Sequence, residues 1–182
     1  MTKTYFTIGH STRSVDVFVD LLRESRVDLV VDVRSMPRSH TNPQFNLETF
    51  PSELADRQIG YEHIAELGGL RGKSRNTASS ENAYWRVQSF HNYADYALTA
   101  PFAAGLARLQ KLGNQHRCAI MCAEVVWWRC HRRIITDYLL AAGEHVMHIL
   151  DAGHVDEASL TPGASVRADR TVIYPVADSL SK

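Results

Sequence analysis

An α/β fold in one domain, with a mostly parallel sheet and helices on both faces, is what the sequence predicts. Three observations lead there. Short β-branched runs alternate with amphipathic stretches along the 182 residues, the pattern of consecutive strand–helix–strand units. One run, Leu29-Val30-Val31-Asp32-Val33, is almost continuously apolar, as expected of a strand covered on both faces. The length suits a single core, and 45% hydrophobic with 22% charged residues is ordinary for a globular chain.

The elements follow in order. Tyr5 to Ile8 reads as the first strand, ending at Gly9-His10-Ser11-Thr12. Ser14 is placed to cap a helix over about Val15 to Ser25, whose Val15, Phe18, Val19 and Leu22 share one face. The Leu29 run is the second strand, and Arg34 to Gln44 is a loop with two prolines. A helix is expected from near Asn46 to Gln58, with Pro51 forcing a kink or a late start. Gly60 to Ile64 is the third strand, and Leu67 to Asn82 a glycine-rich and then Ser/Asn-rich surface loop. Tyr84, Trp85, Phe90, Tyr93 and Tyr96 form an aromatic stretch read as packing, with one ring expected at a pocket.

Thr99 caps a helix over roughly Ala100 to Leu112, with Pro101 in its first turn and Gly113 as its stop. Arg117 to Ala123 is the fourth strand, His131 to Ala142 a helix stopped by Gly143, and His145 to Leu150 the fifth strand. Thr171 to Val176 is a candidate late edge strand. The domain is expected to span 1–182, with 151–182 as a C-terminal extension. His154 and the Thr161-Pro162-Gly163 turn within it would fold over the site or cover an edge.

Twenty acidic and twenty basic residues cancel. That balance argues against bulk electrostatic binding to nucleic acid or anionic membrane, although a local basic cleft is compatible with it. No stretch approaches the roughly 20 apolar residues that span a bilayer, and Met1 to Phe6 has no signal-like apolar run. Three cysteines cannot close a disulfide framework. A cytoplasmic, reducing location is therefore expected, with no membrane partner.

Ligands of open parallel sheets bind beyond the carboxyl ends of the strands. The loops expected there hold His10, Ser11, Asp32, Arg34, Ser39, Glu66, Gly68, Gly69, Cys122, Glu124, Cys130 and His131. Arg13, Arg34, Arg38, Arg71, Lys73, Arg75, Arg132 and Arg133, eight of the twenty basic residues, lie in or beside them. Two helix N-termini would point the same way. An anionic ligand is the functional reading. The plain alternative is that these arginines pair with Asp32, Glu66 and Glu124 or face solvent.

The ordered set Gly9-His10-Ser11-Thr12, Asp32-Val33-Arg34-Ser35 with Pro37 and Ser39, Asn42-Pro43-Gln44-Phe45-Asn46, Glu66-Leu67-Gly68-Gly69, Tyr93-Ala94-Asp95-Tyr96 and Cys122-Ala123-Glu124 followed by Cys130-His131-Arg132 resembles the domain-of-unknown-function family numbered 488. The resemblance covers about residues 5–150. Trp127 stands where many members carry a proline. The resemblance implies an α/β fold and carries no settled activity.

Cys130 is expected just before a helix, beside His131 and Arg132, where the helix end and the cations would favour its thiolate. It would act as a nucleophile with His131 or His10 carrying the proton, and Cys122 would resolve an oxidised Cys130. The bland alternative is a buried structural cysteine. Cys122, Cys130, His131 and His10 are also zinc-type ligands. Their C-x7-C-H spacing is not that of a zinc motif, and on a helix adjacent Cys130 and His131 would diverge by about 100°. No metal is therefore assigned, and no cofactor is identified.

Three near misses carry little. Gly72-Lys73-Ser74 lacks the earlier glycine of a phosphate-binding loop, Leu67 standing there. Cys122 to Arg129 is C-x6-R, the wrong length for an anion-wrapping loop. Asp32-Val33-Arg34 at a strand end also occurs in sulfur-transfer domains. Val125-Val126-Trp127-Trp128 reads as a core or subunit contact ahead of a base-stacking surface.

Three functional classes result. The first is an enzyme or ligand-binding domain for a small anionic, phosphorylated or nucleotide-like substrate. In it Arg34, Arg71 and Arg132 clamp the anion, His10 or Glu124 handles protons, and Ser11 donates a hydrogen bond. The second is thiol redox or sulfur-transfer chemistry through Cys130 and Cys122. The third is a regulatory or nucleic-acid-binding module using Arg71 to Arg75 and the tryptophan pair.

Overall fold

A computed structural model describes residues 1–176; residues 177–182 of the expected extension lie outside that part. A six-stranded sheet of order β3-β2-β4-β1-β5-β6 forms the middle layer. Its strands are β1 (Thr4–Gly9), β2 (Leu29–Asp32), β3 (Gly60–His63), β4 (Cys118–Cys122), β5 (His145–Asp151) and β6 (His154–Glu157). The first five run parallel and β6 is antiparallel to β5.

Side chains alternate across the sheet, as the two-residue strand period requires. Tyr5, Leu29, Val31, Cys118, Ile120, Cys122 and Val146 face one core. Phe6, Ile8, Val30, Ala119, Met121 and Ile149 face the other. Helices α1 (Val15–Glu24) and α2 (Phe50–Ala55) cover the second face through Phe18, Leu22, Phe50 and Leu54. Helices α3 (Gln88–Tyr96), α4 (Ala100–Gly113) and α5 (Arg132–Ala141) cover the first through Tyr93, Phe102, Ile135 and Leu139. The chain steps from β1 to β2 to β3 on one face and returns to β4 and β5 on the other, as right-handed crossovers demand.

Several boundaries bear out the sequence reading. Ser14 caps α1, its hydroxyl accepting from the Val17 N–H at 3.1 Å. Gly143 follows α5 with φ +85°, the left-handed stop of a helix. Others correct it. The helix expected from near Asn46 to Gln58 does start late, as Pro51 in its first turn requires, but it is shorter, spanning Phe50–Ala55, and a 3-10 turn at Pro43–Phe45 precedes it. Gly113 is the last residue of α4 and no left-handed stop. A Cβ there would lie 2.1 Å from the Tyr5 hydroxyl, so close packing sets its identity. Helix α3 falls in the aromatic stretch and lacks a side-chain cap to announce it.

The expected late edge strand is instead β8 (Val172–Ile173), paired with β7 (Ser165–Val166) in a separate two-stranded sheet. The extension covers an edge through β6 and lies along α5, where Asp137 accepts from the Thr161 N–H and the Tyr174 hydroxyl. Among the described residues no helix is long and apolar enough to cross a membrane.

Candidate functional site

The chain leaves β1 and β2 toward the α1–α2 face and leaves β4 toward α5. A crevice opens where such loops part. A cavity of about 550 Å³ lies there. Of the residues expected at the site, His10, Arg34, Ser39, Gly69, Cys122, Glu124, Cys130 and His131 line it. Ser11, Asp32, Gly68, Arg71 and Arg132 are not among its lining residues.

Glycines set how closely the loops approach. Gly9, at the end of β1, lies against the β4–α5 loop so tightly that a Cβ would be 2.0 Å from the Glu124 carbonyl oxygen. A Cβ on Gly69 would be 2.5 Å from His131 Nδ1, and one on Gly68 would be 2.5 Å from Ser35 Oγ. These two glycines therefore fix ring and loop positions by contact. Beside β1, Ser11 sits at φ 47°. Its N–H donates to Ala123 O at 3.0 Å, and its carbonyl lies 2.9 Å from His10 Nδ1.

Two clusters meet at the cavity. In the first, Asp32 holds Arg34 through Nε at 2.9 Å and Nη2 at 2.7 Å. The same carboxylate accepts from the Tyr61 hydroxyl at 2.5 Å. Arg34 Nη2 also donates to Phe45 O at 2.7 Å, and Nη1 is 3.2 Å from His10 Nε2. A guanidinium only donates, so His10 is neutral there, with Nδ1–H directed to Ser11 O. Burial, reinforced by Arg34 and Arg132, pushes His10 down to about 4. Its ring stacks on Phe45 at 4.4 Å.

In the second cluster, Cys122 Sγ at the end of β4 is 2.7 Å from Cys130 Sγ. Cys130 has an extended backbone and precedes α5, while His131 is the N-cap. Because Cys130 is not helical, the adjacent side chains do not diverge as a helix would make them: Cys130 Sγ is 3.5 Å from His131 Nδ1. His131 Nε2 donates to Val33 O at 2.8 Å, which leaves Nδ1 free to accept when the ring is neutral. Arg132 brings its Nε to 3.3 Å and its backbone N–H to 3.5 Å from the same sulfur.

Burial pushes the Cys130 thiol up. The hydrogen bond from Cys122 and the positive charge of His131 and Arg132 outweigh it and hold the thiol well below its ordinary value. Burial and the hydrogen bond with Cys130 push Cys122 well above. Cys118, on the same strand, is pushed up to about 12 by burial. All three cysteines are free.

The remaining predicted residues have local partners. Arg71 donates to Gly68 O at 3.0 Å and Ala65 O at 2.8 Å, and stacks on Tyr96 at 3.8 Å. Arg13 donates to Gly9 and Leu150 carbonyls, bracing β1 against β5. Arg133 lies over Trp85 and donates to Thr161 Oγ1 at 3.1 Å. Ser39 Oγ accepts from Asn42 N–H at 3.0 Å, and Glu124 Oε1 accepts from Val126 N–H at 3.3 Å. Among the described residues no group of three or more His, Cys, Asp or Glu is arranged to hold a metal ion.

Sequence reasoning missed the cavity mouth. Met36 and Leu70 stand 70% and 76% exposed there, beside Phe90, the ring of the aromatic stretch expected at a pocket, which stacks on Trp85 at 4.8 Å. It also missed the Val33 carbonyl, a backbone atom with no sequence signal. Trp127 stacks on His148 of β5 at 4.2 Å, pinning the loop between Cys122 and Cys130 to the sheet.

No curated protein and no solved structure matches this sequence. The model of the family described as domain of unknown function DUF488 matches residues 14–139, which takes in every motif above except Gly9–Thr12. The chain belongs to the DUF488 family.

Proposed function

We propose that the protein catalyses thiol–disulfide chemistry, with Cys130 as the nucleophile, Cys122 as the resolving thiol and His131 as proton partner. The observation that carries this reading is the 2.7 Å contact between the two sulfurs, with Cys130 also facing the backbone N–H and the Nε–H of Arg132 and lying beside His131 Nδ1. Such a surround stabilises a thiolate, the reactive form of cysteine. Both cysteines are among the residues that line the cavity.

The exchange balances as follows. The Cys130 thiolate attacks one sulfur of a substrate disulfide, forming a mixed disulfide and expelling the first thiolate. Cys122 then attacks Cys130 sulfur, closing the Cys122–Cys130 disulfide. Its proton leaves on the second substrate thiolate. The substrate gains two electrons and the pair loses two; the reverse uses the same path.

The anion-clamp reading has less support. Arg34, Arg71 and Arg132 each already donate to protein acceptors, Arg34 through all three of its guanidinium nitrogens. Arg71, the first residue of the candidate nucleic-acid loop, is folded back on its own chain. A reducing compartment such as the cytoplasm suits three free cysteines.

The test is mass spectrometry of the Cys118→Ala protein after mild oxidation, with iodoacetamide labelling of the reduced form across pH. We expect a peptide cross-linked between Cys122 and Cys130, and Cys130 labelling that stays fast below the ordinary thiol range. Ordinary slow labelling, with no cross-link under excess oxidant, would sink the reading. A stable persulfide on Cys130 without the cross-link would replace it with sulfur transfer.

A further inference from the structure

Arg132 is the charged group at this site with the least conventional partner. It is only 1% exposed. Its Nη2 donates to the carbonyls of Glu124 and Val125, and its Nε points at Cys130 Sγ. Among the described residues no carboxylate pairs with it, whereas seven arginine–carboxylate pairs form elsewhere. The nearby acids are engaged: Asp32 by Arg34 and Tyr61, and Glu124 by the Val126 N–H. Its further titratable neighbours, Arg13, His10, His131 and His148, supply no negative charge. Carbonyl oxygens solvate a cation without neutralising it, and a buried unneutralised cation is costly.

We infer that the Cys130 thiolate is the counter-ion of Arg132, so that closing the Cys122–Cys130 disulfide strands a buried guanidinium and makes that disulfide a strong oxidant. The inference rests on the dithiol reading and adds a direction to it. A couple whose reduced form is selectively stabilised has a raised potential. The disulfide therefore takes two electrons from substrate thiols. Two thiols become one disulfide and release two protons; one returns to Cys122 and the other goes to solvent, because Cys130 stays ionised.

Recharging needs an oxidant stronger than an ordinary disulfide, and the class that fits a thiolate in a water-accessible cavity is a hydroperoxide. Cys130 attacks its terminal oxygen, the O–O bond breaks, and the departing alkoxide takes a proton to become an alcohol. Cys122 sulfur then displaces the hydroxyl from the Cys130 sulfenic acid. The hydroxide leaves with the Cys122 proton as water, and the disulfide closes.

The decisive measurement is the equilibrium of the Cys118→Ala protein with glutathione redox buffers, read by alkylation and intact mass. The Arg132→Met and Arg132→Lys variants are compared with it. Removing the cation is expected to move the equilibrium toward the disulfide by roughly tenfold or more, about 30 mV for a two-electron couple; lysine keeps most of the effect. An unchanged equilibrium in Arg132→Met overturns the inference and leaves the dithiol reading standing. If Arg132→Met does not fold, the melting of oxidised and reduced Cys118→Ala protein decides. The oxidised form is expected to melt lower, and a higher melting point overturns the inference. Failure of hydrogen peroxide or any other oxidant to join Cys122 to Cys130 defeats both readings.

Discussion

Two buried arginines stand at neighbouring strand ends, and they are neutralised differently. Arg34, after β2, is locked to the Asp32 carboxylate by three contacts of 3.2 Å or less. Arg132, after β4, has carbonyls and the Cys130 sulfur as its hydrogen-bond partners among the described residues. A carboxylate is a permanent counter-ion at neutral pH. A thiolate is one only while it is ionised and reduced. The Arg34 cluster is thus a fixed brace, and the Arg132 cluster is one whose charge balance chemistry can alter.

Removing the permanent counter-ion should cost most. Asp32→Asn leaves Arg34 buried and unpaired, and breaking such a pair typically costs about 3–5 kcal/mol. Denaturant unfolding at neutral pH measures it; a loss under about 1 kcal/mol would mean that the brace is not a brace. Removing the conditional counter-ion should cost less. Cys130→Ser replaces a thiolate with a neutral hydroxyl, and hydrogen bonds to charged groups contribute about 1.5–3 kcal/mol. Under reducing conditions it should therefore destabilise more than Cys122→Ser, whose thiol carries no charge in this arrangement. Equal losses would say that Arg132 does not sense Cys130.

The two clusters should also separate along the pH axis. His10 is held neutral, down at about 4, and His148 at about 3, burial being the first cause of each. Unfolding lets both take a proton near pH 6.5. Their contribution is complete above that value and is lost as pH falls toward 4 and 3. The slope approaches about 1.4 kcal/mol per pH unit for each ring. His10→Gln, which keeps an acceptor for Arg34, should flatten this fall by one proton. Cys130, whose thiol is held below its ordinary value, obeys the same sign at higher pH. Its contribution is complete above about 8.5, the free thiol value, and shrinks as pH falls toward the depressed one. Cys130→Ser should abolish that upper step and leave the acidic one. Stability-against-pH curves for both variants test the assignment.

How much of this was legible in the sequence differs between the same two clusters. The strand ends were legible because β-branched runs stop at Gly9, Asp32 and Cys122, and the open-sheet rule places ligands there. The proximity of Asp32 and Arg34 could be guessed from adjacency. Their closure into a saturated brace could not, since it depends on Phe45 O, a backbone atom eleven residues away. The meeting of Cys122 with Cys130 depends on a loop whose path is set by Gly9 beneath it and by Trp127 stacked on His148. Neither contact has a periodic signature. The partners of the basic residues were illegible for a related reason. Counting arginines in loops suggests an anion, but Arg13, Arg71 and Arg133 are consumed by carbonyls, a hydroxyl and aromatic rings.

Glu124 gives the smallest expected effect and the finest discrimination. Its residue type and its place after β4 suggest a proton carrier for an anionic substrate in the same cavity as Cys130. In the structure its backbone carbonyl serves Arg132, and among the described residues its carboxylate reaches only the Val126 N–H, at 3.3 Å. Both contacts survive Glu124→Gln, because the amide keeps an acceptor oxygen and the main chain is unchanged. Stability should therefore move by less than about 0.5 kcal/mol, as for ordinary surface changes, and Cys130 alkylation by less than about twofold, under 0.5 kcal/mol in barrier. A tenfold slower reaction with the fold intact would return Glu124 to the chemistry. It would also mean that the thiolate answers to an acid in the cavity, and that Arg132 is not its principal electrostatic partner.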